Sequence, residues 1–410
     1  MIVAYEPTCW GLEHVNFNVS FLATVVAAYP DQEITFFAER DHLAAVREKL
    51  NEFRPAAPVH WREMEIGPRK RYTIRARFRS EWRVSNRVLG EAEKLAATYV
   101  IACSAMPACL LAIKALLILK FRSLRVLAVQ HGSVLSWLHR PKGRRLPEHR
   151  SAYGFVLVWR PVSRLRYLVL DDPALSNVFR IEPSLRGQMF ALGGHPYLFG
   201  ETAIGPLMES PPRFGFIGAA TNRKGFPDFC RVAREAAASF PEDRFVFELV
   251  GYVSDPNVRD AVESGALGDN LRHFVEMPQT DTFLDGREYN RHLSRLTYSL
   301  LPHDKVTGAL TSSASLLDAF AHALPCIAIR NSLFEECFQK MGDIGYLCDT
   351  YEEMRDTVFS LIRKLPVERY LEQRRNIIRG RKMLEPEGLA PHLREILFNL
   401  RRRSNTNVTE

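Results

Sequence analysis

Apolar residues recur along this chain in two rhythms that alternate. Short apolar runs at 2–5, 34–38, 59–64, 99–103, 125–130, 155–159, 167–170 and 190–194 predict β-strands. Between them Val15, Val19, Leu22 and Val26 fall on one helical face, and helices are expected over 41–53 and 107–120. Beyond a Pro- and Gly-bearing stretch at 197–212 the alternation resumes, with strands at 214–217, 245–250, 271–275, 298–301 and 326–329. Helices are expected at 285–296, around Leu316, Leu317, Phe320 and Leu324, and over 351–365, 367–383 and 392–403. Strand and helix taking turns at this spacing predict an α/β protein with parallel, doubly wound sheets. At 410 residues there is chain for two such domains, each with its own core. We assign 1–196 to the first domain, 197–212 to a linker, 213–390 to the second and 391–410 to a closing helix and tail.

The densest chemistry lies at 298–331, read as strand, small-residue loop, helix and strand. Thr311, Ser312 and Ser313 stand where that helix should begin. A helix start offers unpaired N–H groups and the positive end of the dipole, so it favours phosphate. Asp318, just over a turn later and off the apolar stripe, supplies a carboxylate suited to a ribose diol. The second domain opens with another anion-binding pattern, a strand ending at Gly218 followed by Arg223, Lys224 and Gly225 ahead of a helix. It is not a Walker A loop, because GxxxxGK[ST] is absent.

These two segments resemble the donor-binding elements of GT-B glycosyltransferases, whose two Rossmann-like domains face each other across a cleft. Aligned on Leu324 and Pro325, Asp318 stands at the ribose-binding glutamate of the large retaining families, and Leu310 where their first glutamate would be. The run Ser312 to Leu317 is similar to the xanthan-type glucuronosyltransferases, which also lack that first glutamate. By the resemblance Lys224 matches the diphosphate lysine, Ala219 occupies the arginine position, and Arg223 would substitute for it. The same resemblance implies a base contact near Glu276, and a donor-sugar contact from His131, which ends the 125–130 strand. Gly11 and Glu13 resemble the acceptor-bordering loop after the first strand, or read simply as helix-start chemistry. His131 reads alternatively as a histidine satisfied by nearby backbone. Asp171-Asp172-Pro173 reads as a turn rather than a metal site, and no metal or cofactor is expected.

Charge changes the picture of partners. The formal net charge is +8 with a pI near 9.1, which calls for an anionic partner. Eight of the positive residues crowd into 69–87, interleaved with Tyr72, Phe78, Trp82 and Val84. That stretch suits an anionic membrane surface better than nucleic acid, since no nucleic-acid motif accompanies it. A Pro- and Arg-rich loop is expected at 139–150. The seven cysteines form no CxxC pair and sit mostly in apolar runs, as buried thiols of a reducing compartment do. The longest apolar run, 99–121, is interrupted by Pro107 and Lys114, so it reads as strand plus helix rather than a membrane span.

The sequence thus leads to a glycosyltransferase expectation: transfer of a sugar from a UDP- or GDP-linked donor to a saccharide or lipid-linked acceptor in cell-surface polysaccharide assembly. Such an enzyme would work in the cytoplasm against the inner face of the plasma membrane. Two rivals stand beside it: a nucleotide-sugar epimerase of similar fold, and a noncatalytic scaffold of the same architecture.

Overall fold

The computed structural model describes residues 1–67, 74–130, 156–158, 160–202, 211–267, 271–278, 286–303 and 312–402. The chain divides into two compact units. One comprises Met1–Leu198, Leu310–Ser312 and Met383–Glu410, and the other Phe199–Ala309 and Ser313–Lys382.

In the first unit, β1 (Ile2–Tyr5), β2 (Ile34–Ala38), β3 (Val59–Glu63), β4 (Tyr99–Ala102), β5 (Val126–Val129), β6 (Leu165–Val169) and β7 (Met189–Ala191) form one sheet. Its order is β3-β2-β1-β4-β5-β6-β7, and every paired neighbour is parallel. Side chains alternate faces along a strand, so β1 and β4 feed two cores. Val3, Tyr5, Val100 and Ala102 pack toward helices Ile74–Lys94 and Pro107–Leu119. Ile2, Ala4, Tyr99 and Ile101 pack toward helix Val15–Ala28. That helix is apolar almost all round and therefore needs cover on both sides. Helix Pro386–Arg402 supplies the second cover, burying Leu389, Leu393, Leu397 and Leu400 in the same core, with Arg394 Nε donating to the Ala28 carbonyl at 3.1 Å.

The second unit holds β8 (Arg213–Ala220), β9 (Val246–Val253), β10 (Val275–Glu276), β11 (Tyr298–Leu301), β12 (Cys326–Ile329) and β13 (Gly345–Cys348). The order β10-β9-β8-β11-β12-β13, all parallel, is that of a dinucleotide-binding Rossmann sheet. An aromatic cluster fills its core, with the Phe216 and Phe226 rings 5.2 Å apart and nearly perpendicular. Pairing of β8 with β11 stops at Ser299 opposite Gly215, whereas β8 continues beside β9 to Ala220. The sheet therefore opens a crevice at the point where strand order reverses, which is where open α/β sheets take their ligands.

Four expectations are revised. Val156–Val158 is helical rather than extended: its carbonyls point to the ammonium of Lys114, fully buried, which donates to Val156 O at 2.6 Å and Leu157 O at 3.1 Å. Residues 271–275 are mostly one helical turn, Leu271–Phe274, leaving a two-residue strand. Asp171-Asp172-Pro173 opens helix Asp172–Ile181 instead of closing a turn, since proline is well tolerated in a first helical turn. The basic stretch is helix Ile74–Lys94, whose Val84, Val88, Leu89 and Ala92 are core while Arg77, Arg79, Arg83 and Arg87 are exposed. Its apolar residues are thus largely the inward stripe, with Phe78 and Trp82 half-buried and packed on each other at 5.7 Å. The loop at 139–150, residues 68–73 and residues 203–210 of the linker lie outside the described residues. No helix among the described residues is long and apolar enough to cross a membrane. None of the seven cysteines is in a disulfide, and all but Cys337 are buried.

Candidate functional site

The site begins with three glycines that let backbones approach. Gly218, near the end of β8, has φ +90°, and a Cβ there would sit 3.1 Å from Ser315 Oγ and 3.4 Å from Lys224 Nζ. Gly251, its partner in register on β9, lies against the Gly218 carbonyl, which a Cβ would meet at 2.0 Å. Gly225, at φ +74°, sits against the Pro302 carbonyl at 1.9 Å from its would-be Cβ, so the turn after β8 and the end of β11 touch through backbone.

Thr221 caps the short 3-10 turn Asn222–Lys224 by accepting from Lys224 N at 3.2 Å. This turns the half-buried Lys224 side chain back toward the crevice, where Nζ donates to Ser315 Oγ at 3.1 Å. Ser315 Oγ in turn donates to the Ile217 carbonyl at 2.7 Å, so β8, the lysine and helix Ala314–Ala321 are joined in one chain of hydrogen bonds. Only one of the three N–H groups of Lys224 is taken by a described residue. Burial lowers the pKa of Lys224, and the Asp318 carboxylate opposes that shift.

Helix Ala314–Ala321 starts as its sequence predicts, with Ser313 Oγ accepting from Leu316 N at 3.3 Å. Asp318 faces away from the buried Leu316, Leu317 and Phe320, and Tyr289 donates to its Oδ2 at 2.8 Å. His303, just past β11, is 4% exposed and tilted against Phe334 with ring centroids 5.5 Å apart. Burial first and the Lys224 charge second push its pKa down to about 3, so the ring is neutral at physiological pH.

Of the residues singled out from sequence, Gly218, Lys224, Ser313 and Asp318 are thus brought to the two strand ends that flank the crevice. Ser312, half-buried, immediately precedes the cap, and Arg223 is exposed on the 3-10 turn. Glu276 is not brought to them: it pairs in register with Glu248, itself level with Gly215, about 10 Å back along β8 from Gly218. Its carboxylate is held by Arg213 at 2.9 Å and faces Arg295 at 3.8 Å. Thr311 and His131 lie outside the described residues. Ser315, Tyr289 and Gly251 escaped the sequence reading. Ser315 is one step past the cap, but nothing in the polar helix Gly286–Arg295 marks Tyr289 as a partner of Asp318.

In the first unit the equivalent crevice, between β1 and β4, holds a buried acid. Glu6 is fully buried and accepts from Thr8 N at 3.0 Å, Thr8 Oγ1 at 3.1 Å, Asn18 Nδ2 at 3.1 Å and Ser104 Oγ at 2.6 Å. Behind Asn18, His42 bridges to the Gly11 carbonyl at 2.8 Å, so the loop carrying Glu13 is pinned at its base. Glu13 is half-buried, 3.5 Å from the Trp10 amide that donates to it. Nearby Glu81 is 6% exposed, and burial raises its pKa to about 7 despite the neighbouring Arg77. Among the described residues no cluster of three or more His, Cys, Asp and Glu is arranged to hold a metal ion.

Two all-parallel Rossmann-type units, the second with a glycine turn, a lysine and a capped helix at its switch point, define the GT-B fold, and this chain has it. Among solved structures it is similar to a sucrose-phosphate synthase from Thermosynechococcus elongatus, with a TM-score of 0.66 and 15% identity over 98% of this chain and 99% of that one. It is also similar to a glycosyltransferase from Rickettsia africae (TM-score 0.61, 13% identity, 98% of both chains). A third likeness is to the Anabaena protein HepE in complex with UDP (TM-score 0.60, 10% identity, 97% of this chain and 99% of that one). No protein-family model matches the sequence, and neither does any curated protein.

Proposed function

We propose that the protein is a glycosyltransferase that takes a sugar from a nucleotide-diphosphate donor. The observation that carries this reading is Lys224: a half-buried ammonium, returned to a glycine turn beside a capped helix, with N–H groups directed at no described acceptor except Ser315. A diphosphate would meet there the lysine, the open helix start and the close-approaching backbone at Gly218. Charge accumulates on that diphosphate as the sugar departs, so the same groups would stabilise the transition state. Asp318, oriented by Tyr289, would receive the ribose hydroxyls, and Ser312, Ser313, Thr311 and Arg223 complete the donor set. UDP is the nucleotide bound in the HepE structure, which makes UDP the first donor to try, with GDP beside it.

On this reading the first unit receives the acceptor, a saccharide or lipid-linked saccharide of cell-surface polysaccharide assembly, with Glu13 and His131 at the chemistry. Glu276 would contribute backbone groups only, because its carboxylate is engaged by Arg213. The exposed arginines of helix Ile74–Lys94 would hold the enzyme to the anionic inner membrane surface. The test is incubation of the full chain with UDP- and GDP-linked sugars, with and without lipid-linked saccharide acceptors. Released nucleoside diphosphate with a glycosylated acceptor supports the proposal. Epimerised sugar without transfer favours the epimerase, and nucleotide binding without turnover over the whole set favours a scaffold.

A further inference from the structure

Helix Ala314–Ala321 presents the donor groups from its first turns, and its other end is held in an unusual way. Eight residues make a helix only about 12 Å long, too short to be stable alone. At its C-terminus Arg381, 5% exposed, donates from Nη1 to Phe320 O at 2.9 Å and to Ala321 O at 3.0 Å. The same nitrogen donates to Thr202 Oγ1 at 3.0 Å, while Nη2 donates to Gly200 O at 2.9 Å. Thr202 Oγ1 then donates to Ala321 O at 2.7 Å, and the guanidinium lies 5.0 Å over the Phe199 ring. A cation at this end also complements the helix dipole, whose positive end faces the donor groups.

Where these partners sit in the chain matters. Phe199 is the first residue of the second unit after Leu198, and Arg381 is one residue short of its last, Lys382. The lengths of chain at these two crossings are therefore fastened to the C-terminus of the helix whose N-terminus carries Ser313 and Ser315. A planar guanidinium is needed for this, since it reaches four acceptors in fixed directions where an ammonium cannot reproduce the fork.

We infer that Arg381 is a positioning residue for the donor site, and that it couples nucleotide binding at one end of helix Ala314–Ala321 to the crossings after Leu198 and Lys382, which are fastened at the other. This rests on the donor-site reading above. Arg381 touches no ligand: it fixes the axial position of the helix and so the placement of Ser313, Ser315 and Asp318. Coupling of this kind is reciprocal, so a ligand that orders the N-terminus must steady the crossings.

The experiment is amide hydrogen exchange on the full chain with and without UDP, with GDP in parallel, combined with titration of each nucleotide. In the wild type, nucleotide slows exchange both in 314–321 and in 199–202. Arg381→Lys binds about ten-fold more weakly, and nucleotide no longer alters exchange at 199–202. Thr202→Val, which keeps the arginine and the side-chain volume, moves both readouts in the same direction by about three-fold, and stands in if the lysine variant fails to fold. Wild-type affinity in a folded Arg381→Lys, or wild-type affinity in Thr202→Val where the lysine variant does not fold, overturns the inference and leaves the donor reading intact. So does protection confined to 314–321. If the wild type binds neither UDP nor GDP, the donor reading itself falls, and the coupling falls with it.

Discussion

Lys224 Nζ lies 3.1 Å from Ser315 Oγ, 91 positions further along the chain. The pair joins the turn after β8 to the first turn of helix Ala314–Ala321, and Gly218 leaves room for both side chains at the point where they meet. An ammonium so placed is tethered to the helix start while still offering donors to a ligand.

Lys224→Ala is expected to weaken UDP binding by about 1.5–3 kcal/mol, the range for hydrogen bonds to a charged group. UMP, which lacks the second phosphate, should lose far less. Calorimetry with both nucleotides checks this, and equal losses would move Lys224 away from the diphosphate.

Tyr289→Phe removes the hydroxyl that donates to Asp318 Oδ2. UDP affinity should fall by about 0.5–1.5 kcal/mol, and Asp318→Ala by about 1–3 kcal/mol. Because the two act on one contact, the double variant should lose little more than Asp318→Ala alone. Additive losses in that cycle would separate the tyrosine from the carboxylate's role.

Acidification should strike the second unit. The folded pKa of His303 is depressed to about 3 by burial and by Lys224, below its ordinary value near 6.5, so the unfolded chain takes up the proton first. The stabilising effect of keeping this ring neutral is complete above pH 6.5 and declines by about 1.4 kcal/mol per unit as pH falls toward 3. Glu81 in the first unit works the other way: its pKa, raised to about 7, favours the folded state as pH falls through that value. Thermal unfolding between pH 7 and 4 should show the second unit weakening more steeply. His303→Phe, which keeps a ring against Phe334, should flatten that slope, and an unchanged slope would assign the loss to other groups.

Binding to anionic vesicles is expected to fall when Arg77, Arg79 and Arg83, exposed on helix Ile74–Lys94, are replaced by Glu. Each contributes on the order of 1 kcal/mol at an acidic surface, screened over about 8 Å at physiological salt. Cosedimentation with anionic and neutral vesicles decides: equal binding to both would leave the helix as a solvated face.

The strands were legible because buried parallel strands read as bare apolar runs; β1, β2, β11 and β12 fall where the pattern puts them. The capped helix was equally plain, since Ser313 and Asp318 differ from the stripe around them. Segments whose backbone partner is a distant side chain were misread. Val156–Val158 is apolar enough for a strand, and only the ammonium of Lys114, 42 positions away, explains why its carbonyls turn elsewhere. In the basic stretch the alternation of arginine with aromatics concealed a helical stripe, because Val84, Val88 and Ala92 carry the burial while Phe78 and Trp82 are only partly covered. Tyr289 was invisible for a similar reason: its meaning depends wholly on Asp318, 29 residues later.

Leu389, Leu393, Leu397 and Leu400 complete the cover over helix Val15–Ala28. A ribosome making this chain therefore exposes the apolar outer side of that helix first and supplies its partner only after the whole second unit. The first unit can form its sheet early in synthesis but cannot close its core until Leu400 has emerged, by which time the second unit is already complete. The nascent protein thus carries an open hydrophobic face while the whole second unit is made, and a nonsense change as late as residue 386 would leave that face bare for good.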